Sequence, residues 1–208
     1  MKRSVCILLA AAVLLCPLVA SANDVTATAF KMMFLSEMQY YGSGASWTES
    51  QSGGLITETA YVNGNQYKMF VYYRNASETW NGTEKANELV LVGPFNELQP
   101  DYDPYTEYGS GYSFRPGLNF YTAFFYAVYD LGIMPDNDNS GTFFEAGLLS
   151  PYGIYGHLAT GSLTEYDGRT WSSVRCSKGH LEAVHRNGVR VNIIGSTGGY
   201  YEVRVSLP

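Results

Sequence analysis

The sequence predicts a mainly β protein (antiparallel sheet, sandwich or barrel) with one or two helices. Three observations predict it. Tyr (18), Phe (10) and Trp (3) are abundant, and bulky aromatic side chains suit pleated, half-buried surfaces, while 22 Gly supply turns. An Asn63-Gly64 pair separates two strand-like runs. The C-terminal segment alternates apolar and polar residues with period two, as a sheet with one covered face requires.

The elements follow in chain order. Met1-Lys2-Arg3 is a short positive head, residues 5–19 are almost continuously apolar, and Ala20-Ser21-Ala22 has small residues at a cleavage spacing. That order predicts a signal peptide over residues 1–22 and an extracytoplasmic, secreted or periplasmic location. The apolar run is short for a membrane span of roughly 20 residues and is broken by Pro17. Lipidation at Cys16 is disfavoured by Leu15, where a lipobox wants a small residue. No membrane span is expected once the leader is removed.

Residues 27–40 carry Phe30, Met33, Phe34 and Met38 at helical spacing, with Gly42 as a stop. Residues 55–62 and 66–73 flank Asn63-Gly64, whose positive φ preference makes a hairpin. Residues 88–92 read as a more buried strand. Residues 118–131 predict a helix opened by Pro116-Gly117, with Tyr121, Phe125, Val128 and Leu131 on one face. A third hairpin is expected around Asp167-Gly168, with arms at 158–166 and 170–176. The last hairpin pairs Val189, Val191 and Ile193 with Tyr201, Val203 and Val205 across residues 196–199. The expected organisation is therefore a leader (1–22), a β-rich body with one or two helices (23–150), and a C-terminal antiparallel β region (151–208). No repeat of fixed period is visible.

Charge and cysteine content narrow the partners. The formal net charge is −6, and it becomes more negative when Lys2 and Arg3 leave with the leader. An acidic chain without a Lys/Arg run is poorly suited to nucleic acid or anionic lipid. Cys6 and Cys16 leave with the leader, so Cys176 has no partner for an intramolecular disulfide.

Two segments carry candidate site residues. In 99–114, Asp101, Asp103 and Glu107 interleave with Tyr102, Tyr105, Tyr108 and Tyr112. Aromatic faces stack on sugar rings and carboxylates bond their hydroxyls, so this segment is the candidate glycan site, with Trp47 and Trp80 as further stacking surfaces. The competing reading is a solvated loop. In 136–142, Asp136, Asp138, Ser140, Gly141 and Thr142 match the front half of a calcium loop, where alternate side chains converge on one cation. The twelfth position is Gly147 rather than an acid, and an Asx-rich turn explains the same residues. Ca2+ is thus the one cofactor suggested. Cys176, His180 and His185 lack a family signature, and a half-buried thiol with surface histidines is expected.

Val174-Arg175, then residues 188–195 (GVRVNIIG), then Gly199-Tyr200-Tyr201-Glu202-Val203 resemble the core of a bacterial SH3-type domain. The resemblance covers about 35 residues, lacks the usual Ser-Gly-Pro after the Val-Arg pair, and stops before the customary final strand. It implies a small barrel that binds cell-wall peptides or glycans. The functional expectation is a non-enzymatic binding module for carbohydrate or cell-envelope polymer. Its rivals are a glycan-acting hydrolase using carboxylates of the 101–107 loop, since paired acids can serve as acid and base, and a structural envelope or surface component.

Overall fold

The elements of a computed structural model run α1 (Ala27–Tyr41), β1 (Trp47–Ser52), β2 (Leu55–Val62), β3 (Asn65–Tyr73), β4 (Ala86–Pro94), α2 (Pro116–Asp130), α3 (Pro151–Thr160), β5 (Trp171–Ser177), β6 (His180–His185), β7 (Arg190–Gly195) and β8 (Tyr200–Ser206). The structure describes residues 24–41, 45–62, 64–73, 82–94, 116–135, 148–149, 151–163, 170–195 and 200–208. The leader, Trp80, the 101–112 segment and the 136–142 loop lie outside them.

All eight strands form one antiparallel sheet in the order β1-β2-β3-β4-β8-β7-β6-β5. The mainly β expectation is met, and the body and the C-terminal region turn out to be two halves of a single sheet, joined by β4 and β8. Exchanging the first four strands for the last four reverses this order, so the halves are related by a local two-fold between β4 and β8. Each half runs helix, Trp-opened edge strand, glycine turn, strand, Asn-Gly pair, strand, strand. Trp47 and Trp171 open the edges; Gly54 (φ 81°) and Gly179 (φ 73°) make the first turns, Gly64 (φ 79°) and Gly188 (φ 95°) the second.

Two strand pairs and two helices form as the sequence predicts. One assignment is corrected. Leu158 belongs to α3, and β5 pairs with β6 across Lys178-Gly179 rather than backwards across Asp167-Gly168. Gly179 takes the positive φ that this turn demands. Gly161 (φ 72°) ends α3, its amide donating to His157 O at 2.8 Å.

The helices cover one face of the sheet. Thr26 caps α1, its Oγ1 accepting from Ala29 N at 3.1 Å. Phe30, Phe34 and Met38 recur every fourth residue and are buried against the sheet and α2. In α2, Phe120, Tyr121, Phe124, Phe125 and Val128 are all fully buried, so this helix sits at the heart of the core. Pro116 opens it, where a missing N–H costs nothing.

One inward row explains how α2 fits. Tyr67 (β3), Gly93 (β4), Tyr201 (β8) and Gly195 (β7) follow across four strands, large and small in alternation. The glycines leave room for the two rings, and α2 rests on them. Phe120 packs edge-on to Tyr67 (4.2 Å between centroids) and Tyr121 lies 6.2 Å from Tyr201. Among the described residues, no helix is long and apolar enough to cross a membrane.

Candidate functional site

Alternation puts half of every strand on the face away from the helices. Four rows cross this outer face. The middle rows hold Thr57, Phe70, Val90, Arg204, Asn192 and Glu182, then Leu55, Tyr72, Glu88, Ser206, Arg190 and Val184. Arg204 is their centre. It donates from Nη1 to Glu88 Oε2 and from Nη2 to Glu202 Oε1, both at 2.8 Å. Its hydrogen bond to Glu202, then that to Glu88, raises the guanidinium further from its ordinary value. Val90 is buried between Phe70 and Arg204, its cross-strand neighbours.

The other rows lie toward the end where β4 stops. One holds Thr59, Lys68, Val92, Glu202, Ile194 and His180, whose Nε2 lies 2.9 Å from Asn192 Oδ1. The last holds Tyr61 opposite Gln66 and Pro94 opposite Tyr200. Gln66 donates to the Tyr61 hydroxyl. Four large apolar or aromatic side chains of the described residues stand well out in solvent: Tyr61 (70% exposed), Met32 (64%), Tyr200 (58%) and Ile194 (52%). Three of the four share this end of the outer face. Three strand spacings separate β2 from β8, so Tyr61 and Tyr200 stand about 14 Å apart, with Gln66 and Pro94 between them in that row. β4 ends at Pro94 on this same end, and the sequence-predicted tyrosines and acids follow it in the chain, outside the described residues.

Trp47, the stacking candidate among the described residues, is half-buried on the helix side. Its ring meets Phe34 at 5.2 Å and Phe120 at 5.3 Å, both edge-on, and its Nε1 is buried without a hydrogen-bond partner among the described residues. This geometry gives the indole to packing.

A second cluster lies under α1. Glu58 on β2 is 2% exposed and stands directly across from Glu49 on β1. Lys31 of α1 donates to Glu49 Oε2 at 2.6 Å. Burial, first, and then the hydrogen bond and charge of Glu49 push the Glu58 carboxyl up to about 7, while the Lys31 bond holds Glu49 low. Glu58 thus carries the shared proton and Glu49 the charge that Lys31 neutralises. Sequence reading passed over Glu58, although in 55–62 it occupies the same parity as Ile56 and Ala60, a signal that places a carboxyl on the covered face.

The histidine expectation is corrected at one position. His180 is partly exposed, but His185 is buried edge-on against Trp171. Its Nε2 lies 3.2 Å from Pro135 O, and Asn187 N donates to its Nδ1 at 3.2 Å. Cys176 is half-buried, with Sγ donating to His157 O at 3.4 Å, and burial raises its thiol. Among the described residues no three His, Cys, Asp or Glu gather closely enough to hold a metal ion.

No protein-family model matches the chain, and neither a curated protein nor a solved structure matches it.

Proposed function

We propose that this protein is an extracytoplasmic, non-enzymatic binding protein. Its ligand is a carbohydrate or cell-envelope polymer held on the outer sheet face, at the end bearing Tyr61, Ile194 and Tyr200. The observation that carries this reading is that, among the described residues, three of the four most exposed large apolar side chains gather on one face and one end. Scattered exposed apolar residues are ordinary on a soluble surface, whereas a shared patch marks an interaction site.

The chemistry favours a hydroxylated ligand. Tyrosine rings offer apolar faces for stacking, and Gln66, Lys68, Glu202 and His180 lie among them as donors and acceptors. Two platforms about 14 Å apart are farther apart than one sugar ring is wide, so they suit a polymer. The export reading of residues 1–22 supplies the location. The resemblance of β5–β8 residues to SH3-type domains points to the same ligand class.

The test is retention of the mature protein on insoluble cell-envelope and plant or microbial polysaccharides, with Tyr61→Ala and Tyr200→Ala as variants. Retention weakened in both supports the reading; retention of wild type on none of the polymers overturns it. Turnover of a polysaccharide that a carboxamide substitution at Asp101, Asp103 or Glu107 abolishes would replace it with the hydrolase.

A further inference from the structure

We propose that α1 and the edge strand β1 form a proton-held latch, seated on the sheet by one proton shared between Glu49 and Glu58. The geometry comes first. The β1–β2 register sets the two carboxyl groups side by side on the covered face, and Glu58 is almost fully removed from water. The groups acting on Glu58 are Glu49 from β1 and Lys31 from α1, and β3 places Met69 opposite it. Two carboxyls and one ammonium are electrically neutral only when one proton is held between the acids. Removing it leaves two adjacent carboxylates sharing a single cation, with Glu58 shut off from water and Glu49 partly exposed, and like charges avoid this by separating.

A second acid pair sits on the same helix. Glu37 of α1 and Asp130 at the end of α2 are hydrogen-bonded to each other, and burial, then the neighbouring acid, raises Glu37. Six residues separate Lys31 from Glu37, about 9 Å along α1. Glu37 thus favours its proton in the same direction as Glu58, but the large shift is that of Glu58. The β4–β8 centre of the sheet has no such pair among the described residues; its charges are the Arg204 bonds to Glu88 and Glu202, which need none. Loss of protons accordingly acts on α1 and β1 while the centre stays closed.

The experiment compares hydrogen-exchange protection factors, corrected for intrinsic rates, at pH 6 and pH 8.5. In wild type, α1 and β1 amides are expected to lose about 10-fold protection relative to β8, the limit set between these two pH values by one proton leaving a group that titrates near 7. In Glu58→Gln the ratio stays flat, because the carboxamide bonds Glu49 without a proton. A flat ratio in wild type, or the same loss in Glu58→Gln, overturns the latch. If Glu58→Gln does not fold, a carboxyl-carbon NMR titration of wild type decides. A Glu58 carboxyl titrating near 7 sustains the latch, and one titrating in the ordinary glutamate range ends it.

Discussion

Gly93→Ala adds one methyl at the most crowded point of the inward row. A Cβ on Gly93 would lie 2.4 Å from Cδ1 and 2.8 Å from Cε1 of Tyr67. Tyr67 is fully buried, and Phe120 stands against its ring at 4.2 Å, so the ring has nowhere to retreat. Overpacking of this kind costs about 1–3 kcal/mol, and contacts this short call for the upper end. Gly→Ala also restricts the unfolded chain and returns about 0.4–1 kcal/mol. The net expectation is a loss of about 2 kcal/mol. Urea denaturation reads it as a lower midpoint at unchanged slope. Tyr67→Leu supplies the control: with the ring gone, Gly93→Ala should cost at least about 0.5 kcal/mol less, a coupling that only neighbours show. A Gly93→Ala variant as stable as wild type, or an equal cost in both backgrounds, would refute the register and the packing drawn from it.

Two further outcomes follow from the same structure. Phe120→Ala removes a fully buried ring that touches both Trp47 and Tyr67, and is expected to cost about 3–5 kcal/mol, checked by the same denaturation series; a loss under 1 kcal/mol would contradict its central place. Stability should fall as pH rises. Glu58 is raised from 4.5 to about 7 in the fold, so the folded chain binds more protons than the unfolded one in that window. The contribution is present in full below about 4.5 and is lost as pH rises through about 7. At about 1.4 kcal/mol per pH unit, the part of this shift between pH 5.5 and 7 amounts to about 2 kcal/mol, and Glu49, held low by Lys31, keeps its charge throughout that window. Denaturation midpoints at pH 5.5 and 8 measure it, and Glu58→Gln should flatten the slope.

Much of the sheet is legible in the sequence because its signals are local. Asn63-Gly64 marks β2–β3, alternation marks β7 and β8, and Pro116 marks α2. What escapes is non-local or atypical. Glu49 of β1 and Lys31 of α1 meet only in the fold, and β1 beyond Trp47 is polar and exposed, so no alternation betrays it. In α3, Gly153 and Gly156 interrupt the helical pattern, which let the Asp167-Gly168 pair compete as a turn. The internal two-fold has no fixed period: Trp47 and Gly54 are seven residues apart, Trp171 and Gly179 eight. The outer patch is hidden for another reason. Tyr61 and Tyr200 are 139 residues apart in the chain, and only the pairing of β4 with β8 puts them on one end of one face. Glu58 was readable from parity alone; its partner was not.

The most direct measurement is the affinity of the mature protein and of the Tyr61→Ala/Tyr200→Ala double variant for whichever envelope or polysaccharide polymer retains wild type. Stacking lost from both platforms should weaken binding at least tenfold while the denaturation midpoint holds. Equal affinity in the two proteins would mean that the ligand sits elsewhere and the outer face is only a surface.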